Sequence, residues 1–114
     1  QGTPYLVMEL LEGGDLAALL DTEGPPPVEE AVAYIIQACR GIGEAHGRGV
    51  VHRDLKPANL FLSGDGRGAP CLKVLDFGVS KAAEAHAVPS AGSRDHIIGT
   101  PLYMAPEQFA TPSE

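Results

Sequence analysis

The run VVHRDLKPANLFL, residues 50–62, sets a cluster of ionisable and amide side chains between two apolar blocks. Apolar blocks of this kind are typical of short buried strands, and the polar residues between them must turn the chain at the surface. Two interpretations follow. The polar run is either a turn that happens to join two strands, or a chemical site held in place by its apolar flanks.

Capping residues and apolar spacing predict the elements before this run. Residues 4–11, PYLVMELL, are a short apolar segment that predicts a buried strand. Asp15 is placed to cap a short helix, and the prolines at 25–27 lead into a longer helix that ends near Gly49. This longer helix is predicted by apolar residues at three- and four-residue steps, namely Val28, Ala31, Val32, Ile35, Ile36, Cys39 and Ile42.

The elements on the other side are shorter. Residues 50–51 predict a short strand that enters the polar run. The segments 60–62 and 72–76 are apolar and flank a Gly-rich turn, so they predict a hairpin. Residues 82–98 are small and polar, and we expect a long loop there.

Charge and cysteine usage narrow the class of protein. The chain has 114 residues and a formal net charge of −7, with no basic run. Nucleic acids and anionic membranes attract positive surfaces, so neither partner is expected. Cys39 and Cys71 follow no metal-ligand or disulfide spacing, and we expect two buried, reduced thiols in a cytoplasmic protein. No apolar run approaches the roughly 18 residues of a membrane span, so membrane attachment is expected only if residues outside this chain supply it.

Three motifs follow one another along the chain: HRDLKPAN at 52–59, DFG at 76–78 and GTPLYMAPE at 99–107. In this order and approximate spacing they resemble the eukaryotic-type (Hanks-type) serine/threonine protein kinases. The resemblance implies an α+β, protein-kinase-like fold. It implies that residues 1–114 are a partial catalytic domain, from the strand that joins the two lobes through the activation segment. The Ala-, Gly- and Pro-rich composition suggests a bacterial source.

The resemblance assigns the phosphoryl-transfer chemistry to four residues. Asp54 accepts or orients the proton of the substrate hydroxyl, and Lys56 reaches the transferred phosphate. Asn59 and Asp76 ligate Mg²⁺, which prefers hard oxygen ligands and leaves room for nucleotide phosphates. Taken singly, Asp54 and Asn59 are better explained as turn residues, and Asp76 as the end of a strand. Taken together, coincidence is a remote explanation.

The resemblance also predicts a site for ATP. Met8 would lie behind the adenine, and the backbone of Glu9 and Leu11 would bond the adenine edge. Asp15 would reach the ribose, and Phe61 would form the floor of the site. From sequence alone, ordinary core is an equally good interpretation of Met8, Leu11 and Phe61.

Acceptor specificity is implied by two positions. Lys56 followed by Pro57 and the threonine Thr100 match kinases that phosphorylate Ser or Thr hydroxyls of proteins. In that family the hydroxyl at the Thr100 position bonds the groups corresponding to Asp54 and Lys56.

Other residues of the motifs are given regulatory or structural roles. Arg53 is expected to pair with a phosphate on the activation loop. Ser90 and Ser93 are the candidate acceptors there, although a solvated loop serine explains each of them better. His52 is expected to pack near Phe77 and to bond backbone, without a catalytic role.

Some parts of the family pattern do not occur in this sequence. The family places a Gly-rich phosphate loop, a strand Lys and a helix Glu ahead of the lobe-joining strand. We therefore expect a small lobe that is mostly missing, exposed apolar surface, a solvated Glu107 and little activity from these residues alone. A naturally truncated kinase-like binding module is the alternative, but an intact Asp54, Asn59 and Asp76 favour an enzyme. A small-molecule kinase of related fold is a weaker alternative, because such enzymes rarely carry the KPAN and GTPLYMAPE segments.

Overall fold

The computed structural model describes residues 2–3, 5–64, 67–77 and 100–110. The predicted loop at 82–98, with Ser90 and Ser93, lies outside the described residues. The fold has the α+β arrangement that the resemblance implies, with a small antiparallel sheet and separate helices. In chain order the elements are β1 (Gly13–Asp15), α1 (Leu16–Glu23), α2 (Val28–Gly47), a 3₁₀ turn (Pro57–Asn59), β2 (Leu60–Ser63), β3 (Cys71–Val74), a second 3₁₀ turn (Pro101–Tyr103) and α3 (Pro106–Ala110).

Strand β2 is the centre of the three-stranded sheet. It pairs antiparallel with β1 on one side, where Asp15 lies opposite Phe61. It pairs antiparallel with β3 on the other side, where Phe61 lies opposite Lys73. The hairpin predicted from the two apolar segments is therefore confirmed. Residues directly opposite in an antiparallel pair share a face of the sheet, so Asp15, Phe61 and Lys73 form one row across it.

The close approach of β1 to β2 depends on Gly13. Its φ is 139°, in the region that favours glycine. A Cβ atom added there would lie 1.9 Å from the carbonyl oxygen of Leu62. Any side chain at this position would therefore push β1 away from β2.

The hydrophobic core is small and lies between α2 and the hairpin. Tyr34 and Ala38 of α2 form a buried cluster with Leu60 and Leu72. The Tyr34 hydroxyl donates a hydrogen bond to the carboxylate of Glu30, one turn earlier on α2. This hydrogen bond, followed by burial and the carboxylate charge, raises the pKa of Tyr34 to about 12. Tyr34 therefore stays protonated, and the core keeps its only ionisable member neutral.

Helix α2 also covers the outer edge of the sheet. The backbone N–H of Leu72 in β3 donates to Gln37 Oε1 at 2.9 Å. An exposed sheet edge carries backbone donors that need partners, and here a helix side chain supplies one. The amide of Gln37 thus joins the helix to the sheet in addition to the apolar contacts of the core.

The predicted helix boundaries are confirmed. Asp15 caps α1, since its Oδ1 accepts from the backbone N–H of Ala18 at 2.9 Å, and Gly24 follows the last residue of the helix. Glu29 and Glu30 lie in the first turn of α2, where they complement the positive end of the helix. Helix α2 ends two residues before position 49, where the sequence predicts its end.

Two predicted strands are not formed. Residues 5–12 and 50–51 have no regular secondary structure. Tyr5, Val7 and Leu10 are 88%, 81% and 93% exposed, so the prediction of a buried strand at 4–11 is wrong. A strand needs a neighbour for its backbone groups, and pairing with β2 begins only at β1. An apolar segment without such a neighbour stays irregular.

The prediction of two buried thiols is also wrong, because Cys39 and Cys71 are both exposed. Helix α2 contacts the sheet through the side that carries Tyr34 and Ala38, and Cys39 lies beyond it. Most of the predicted apolar stripe is open as well: Val28, Val32, Ile35 and Ile36 are 79%, 51%, 56% and 47% exposed. The expectation of exposed apolar surface is therefore confirmed. Within the described ranges, no helix is both long and apolar enough to cross a membrane.

Replacing Gln37 tests the link between α2 and the sheet edge. Gln37→Leu removes the acceptor for the Leu72 N–H and leaves a backbone donor beneath the helix, at a cost of about 1–3 kcal/mol. We expect amide hydrogen exchange at Leu72 in the full-length protein to accelerate in this variant. Gln37→Glu, which keeps an acceptor oxygen, should retain the protection; equal exchange in all three proteins would contradict the link.

Candidate active site

The polar loop is fastened to the end of β3 through the backbone of Leu75. The His52 ring donates from Nε2 to the Leu75 carbonyl oxygen at 2.6 Å, and the Leu75 N–H donates to the Asn59 carbonyl oxygen at 2.8 Å. His52 Nδ1 accepts from the backbone N–H of Asp54 at 3.1 Å, which leaves Nε2 as the donor of the ring. The Phe77 ring meets His52 edge-on, with centroids 4.9 Å apart. The contacts expected for His52, with Phe77 and with the backbone, are therefore present.

A 3₁₀ turn brings Asn59 back onto the loop. Pro57 starts the turn, and the Asn59 N–H donates to the Lys56 carbonyl oxygen at 2.9 Å. The Asn59 side chain is buried and donates from Nδ2 to the Asp54 carbonyl oxygen at 2.8 Å. Since Nδ2 is used as a donor, Oδ1 is the atom of this amide that can bind a cation.

Two side chains meet the Asp54 carboxylate, one from the same loop and one from a distant part of the chain. The Thr100 hydroxyl donates to Asp54 Oδ1 at 2.9 Å and accepts from Lys56 Nζ, also at 2.9 Å. Lys56 Nζ lies 3.3 Å from Asp54 Oδ2. The contacts that the resemblance predicts for Thr100 are therefore present. They fix the carboxylate and the ammonium at a constant separation.

The surroundings of Asp54 favour its ionised form. Burial acts to raise the pKa of the carboxyl, but hydrogen bonds from Thr100 and Lys56 and the charge of Lys56 outweigh it, so the pKa lies below its ordinary value. The Asp54 side chain is 33% exposed and thus accessible to a second molecule. The site presents a charged, oriented and reachable acceptor.

Two site residues have left-handed backbone conformations that non-glycine residues rarely adopt. Arg53 has a φ of 71° and Asp76 a φ of 61°. The carbonyl oxygen of Arg53 accepts from Gln108 Nε2 at 3.4 Å, and Gln108 Oε1 accepts from the Ala105 N–H at 2.9 Å. Helix α3 is thereby tied to the loop that carries Asp54. Such conformations persist only where the surrounding structure holds them, and they cluster at functional sites.

A cavity of about 500 Å³ is lined by residues of the segment 5–12, of β2 and of the end of β3. It brings together Met8, Glu9, Leu11, Phe61 and Asp76, all of them sequence-predicted residues of the nucleotide or metal site. Its walls are mostly apolar with a few charged groups, which is the usual character of a small-molecule site. The structure therefore places the predicted adenine residues and Asp76 around a single space.

Asp15 lies apart from this cavity, whereas Lys73, which the sequence did not mark, is part of its lining. Asp15 lines a separate depression with Gly14 and Leu62, and its Oδ1 is engaged at the cap of α1. Its reach to a ribose stays a prediction, although it shares the cross-strand row with Phe61. Lys73 lines the nucleotide-sized cavity and was not among the predicted site residues. Lys73 could be recognised as a site residue only from its position opposite Phe61, and that position follows from the register of the hairpin.

The oxygen groups at the site suit Mg²⁺. Asn59 can offer its amide oxygen and Asp76 its carboxylate, and Asp76 is exposed at the end of β3. Mg²⁺ is held by one or two carboxylates together with waters and substrate phosphates, rather than by a complete protein cage. The residues present therefore fit this ion.

A family model described as the protein kinase domain matches residues 1–113. The chain belongs to the protein kinase family. This explains why the loop, the hairpin end and Thr100 converge as they do. The family assignment confirms the resemblance drawn from the three motifs, while the individual roles of the kinase residues stay predictions.

Curated relatives define the branch of the family. The serine/threonine-protein kinase Pkn1 of Myxococcus xanthus is 48% identical over 105 residues, which are 92% of this chain and 15% of the relative. PknL of Mycobacterium tuberculosis is 44% identical over 105 residues, 92% of this chain and 25% of the relative. PknB of Mycobacterium leprae is 37% identical over 106 residues, 92% of this chain and 16% of the relative. The chain thus spans a quarter or less of each relative, and it is similar to bacterial serine/threonine kinases.

Removal of the Thr100 hydroxyl tests the electrostatics of Asp54. Thr100→Val deletes a hydrogen bond that lowers the pKa of the Asp54 carboxyl, so that pKa should rise. The measurement is a carbon-13 NMR titration of the carboxyl in the full-length protein. Thr100→Ser keeps the hydroxyl and should leave the pKa low; an unchanged pKa in Thr100→Val would mean that the hydroxyl is not the partner.

The same shift has a consequence for stability. Because folding lowers the pKa of Asp54, its stabilising contribution is fully present above the unfolded-state pKa of about 3.9. It is lost as the pH falls through the lower pKa of the folded state. The stability advantage of the wild type over Asp54→Asn, measured by thermal unfolding, should therefore shrink as the pH falls below about 4.

Proposed function

We propose that the protein containing this chain is a serine/threonine protein kinase, which transfers the γ-phosphate of ATP to a Ser or Thr hydroxyl of a protein. The observation that carries the proposal is the Asp54 carboxylate, which is ionised, accessible and fixed by Thr100 and Lys56. Phosphoryl transfer needs an oriented nucleophile and neutralised phosphate charge more than it needs covalent chemistry. A fixed carboxylate beside a fixed cation supplies both.

In the proposed reaction the acceptor oxygen bonds to the γ-phosphorus as the bond from that phosphorus to the bridging oxygen of ADP breaks. Asp54 orients the acceptor hydroxyl and takes its proton. Lys56, whose ammonium lies 3.3 Å from Asp54 Oδ2, attracts the negative charge of the phosphoryl group. The Thr100 hydroxyl bonds both groups and so fixes their relative position. Mg²⁺ bound at Asn59 and Asp76 would neutralise phosphate charge.

The cavity beside Asp76 supports an adenine nucleotide as the phosphate donor. Phe61 and Met8 give it apolar surfaces, and Glu9 and Leu11 border it. A planar apolar base fits such walls, with its polar edge bonded by backbone groups. Since ATP and protein acceptors meet in the cytoplasm, we propose that compartment for the reaction.

Neutralising Asp54 tests the proposed acid–base role. Asp54→Asn keeps the shape of the side chain but cannot take a proton, so kcat should fall by about 10²–10⁴-fold. The measurement is transfer of labelled γ-phosphate to a protein substrate by the full-length protein. Asp21→Asn on α1 removes the same charge at an exposed position and serves as the matched control.

Two results would redirect the proposal. If the wild type binds ATP but transfers no phosphate, the chain is part of a kinase-like binding module. If Asp54→Asn transfers phosphate at the wild-type rate, another group handles the proton.

Acceptor choice is a separate expectation. Transfer to Ser and Thr is implied by the combination of Thr100, Lys56 and Pro57. In a set of peptides that differ only at the acceptor position, those with Ser or Thr should be phosphorylated and the one with Tyr should not. Steady-state kinetics give kcat/KM for each peptide. A preference for Tyr would exclude the proposed specificity.

A further inference from the structure

An ion pair joins two of the residues that line the cavity. Lys73 Nζ lies 3.4 Å from Glu9 Oε1, and both residues line the cavity. Lys73 is carried by β3 and is fixed there by pairing opposite Phe61. Glu9 lies in the irregular segment 5–12, which we call the joining segment. The pair therefore connects a rigid element with one that has no regular secondary structure.

Among the residues that the structure describes, one backbone hydrogen bond outside the paired strands connects the joining segment to the sheet. The Glu12 carbonyl oxygen accepts from the Gly64 N–H at 3.1 Å, at the end of the segment where β1 begins. Farther out, Leu6, Met8 and Leu10 are 78%, 74% and 93% exposed, so their burial contributes little. The distance between the backbone of Glu9 and the cavity floor at Phe61 thus depends on side-chain contacts.

We propose that Lys73 is a positioning residue, which holds Glu9 and through it the joining segment at the distance from Phe61 that an adenine requires. This inference rests on the proposed function, since it concerns how the same kinase site binds its nucleotide. The side chains of Lys73 and Glu9 are 41% and 64% exposed. Because an exposed pair is weak and screened by salt, the effect is modest.

Lys73 could instead act by its charge alone. The two roles predict opposite changes in nucleotide affinity when Glu9 is neutralised. The cavity is lined by the charged groups Glu9, Lys73 and Asp76. If Lys73 only attracts the anionic nucleotide, then Glu9→Gln makes the cavity more positive and should strengthen nucleotide binding. If Lys73 acts through Glu9, the same isosteric change releases the joining segment and weakens binding.

The test measures the KM for ATP and the dissociation constant of ADP by calorimetry, both in the full-length protein. We expect Glu9→Gln and Lys73→Met each to raise both constants about two- to fivefold. The change in the KM for ATP should be larger than the change in kcat. The charge-swapped double variant Glu9→Lys/Lys73→Glu should return toward the wild-type values. The ratio of variant to wild type should approach one at high salt.

The matched control is Arg48→Met, which breaks the exposed Glu44–Arg48 pair of α2, whose atoms lie 2.9 Å apart. It should leave both constants unchanged. Tighter or unchanged ADP binding in Glu9→Gln, or no recovery in the double variant, would overturn the positioning role. A wild type that binds ADP without transferring phosphate would refute the proposed kinase activity, while the ADP constants would still decide the role of Lys73.

Discussion

The backbone of Leu75 is the point on which the site depends. Both of its hydrogen-bonding groups are used by the polar loop, one by the His52 ring and one by the Asn59 carbonyl. Leu75 follows β3 and precedes Asp76, so the same two bonds set the loop that carries Asp54 beside the residue that is predicted to ligate the cation. If either bond were lost, a buried polar group would be left without its partner, at a cost of about 1–3 kcal/mol.

Polar contacts over long sequence separations, rather than extensive packing, give the site its geometry. Thr100 reaches Asp54 and Lys56 from more than 40 residues along the chain, and Gln108 reaches Arg53 from α3. Among the described residues, the buried apolar cluster consists of Tyr34, Ala38, Leu60 and Leu72. The hydrogen bonds of the site therefore also contribute to how its segments are held together, which couples the protonation of Asp54 to the local fold.

Local chemistry made some features predictable from the sequence. The cap at Asp15, the start of α2 after three prolines and the hairpin depend on residues close in sequence, and the motifs marked Asp54, Lys56 and Thr100 before any distance was known. The strand at 4–11 and the buried thiols were wrong because strand pairing and burial depend on neighbours that a sequence window does not contain. The roles of Gln37, Leu75 and Lys73 could not be found in advance for the same reason, since register and backbone hydrogen bonds create them.

The hydrogen bond from Asn59 to the Asp54 carbonyl explains why an amide occupies a position where cation binding alone would favour a second carboxylate. An aspartate there would turn an acceptor toward another acceptor, and the loop would be pushed open from within. The amide has two unlike ends, so it can bond backbone with one and offer oxygen with the other. Replacing the amide nitrogen of Asn59 with oxygen would therefore add negative charge for the proposed cation and remove the donor that holds the loop.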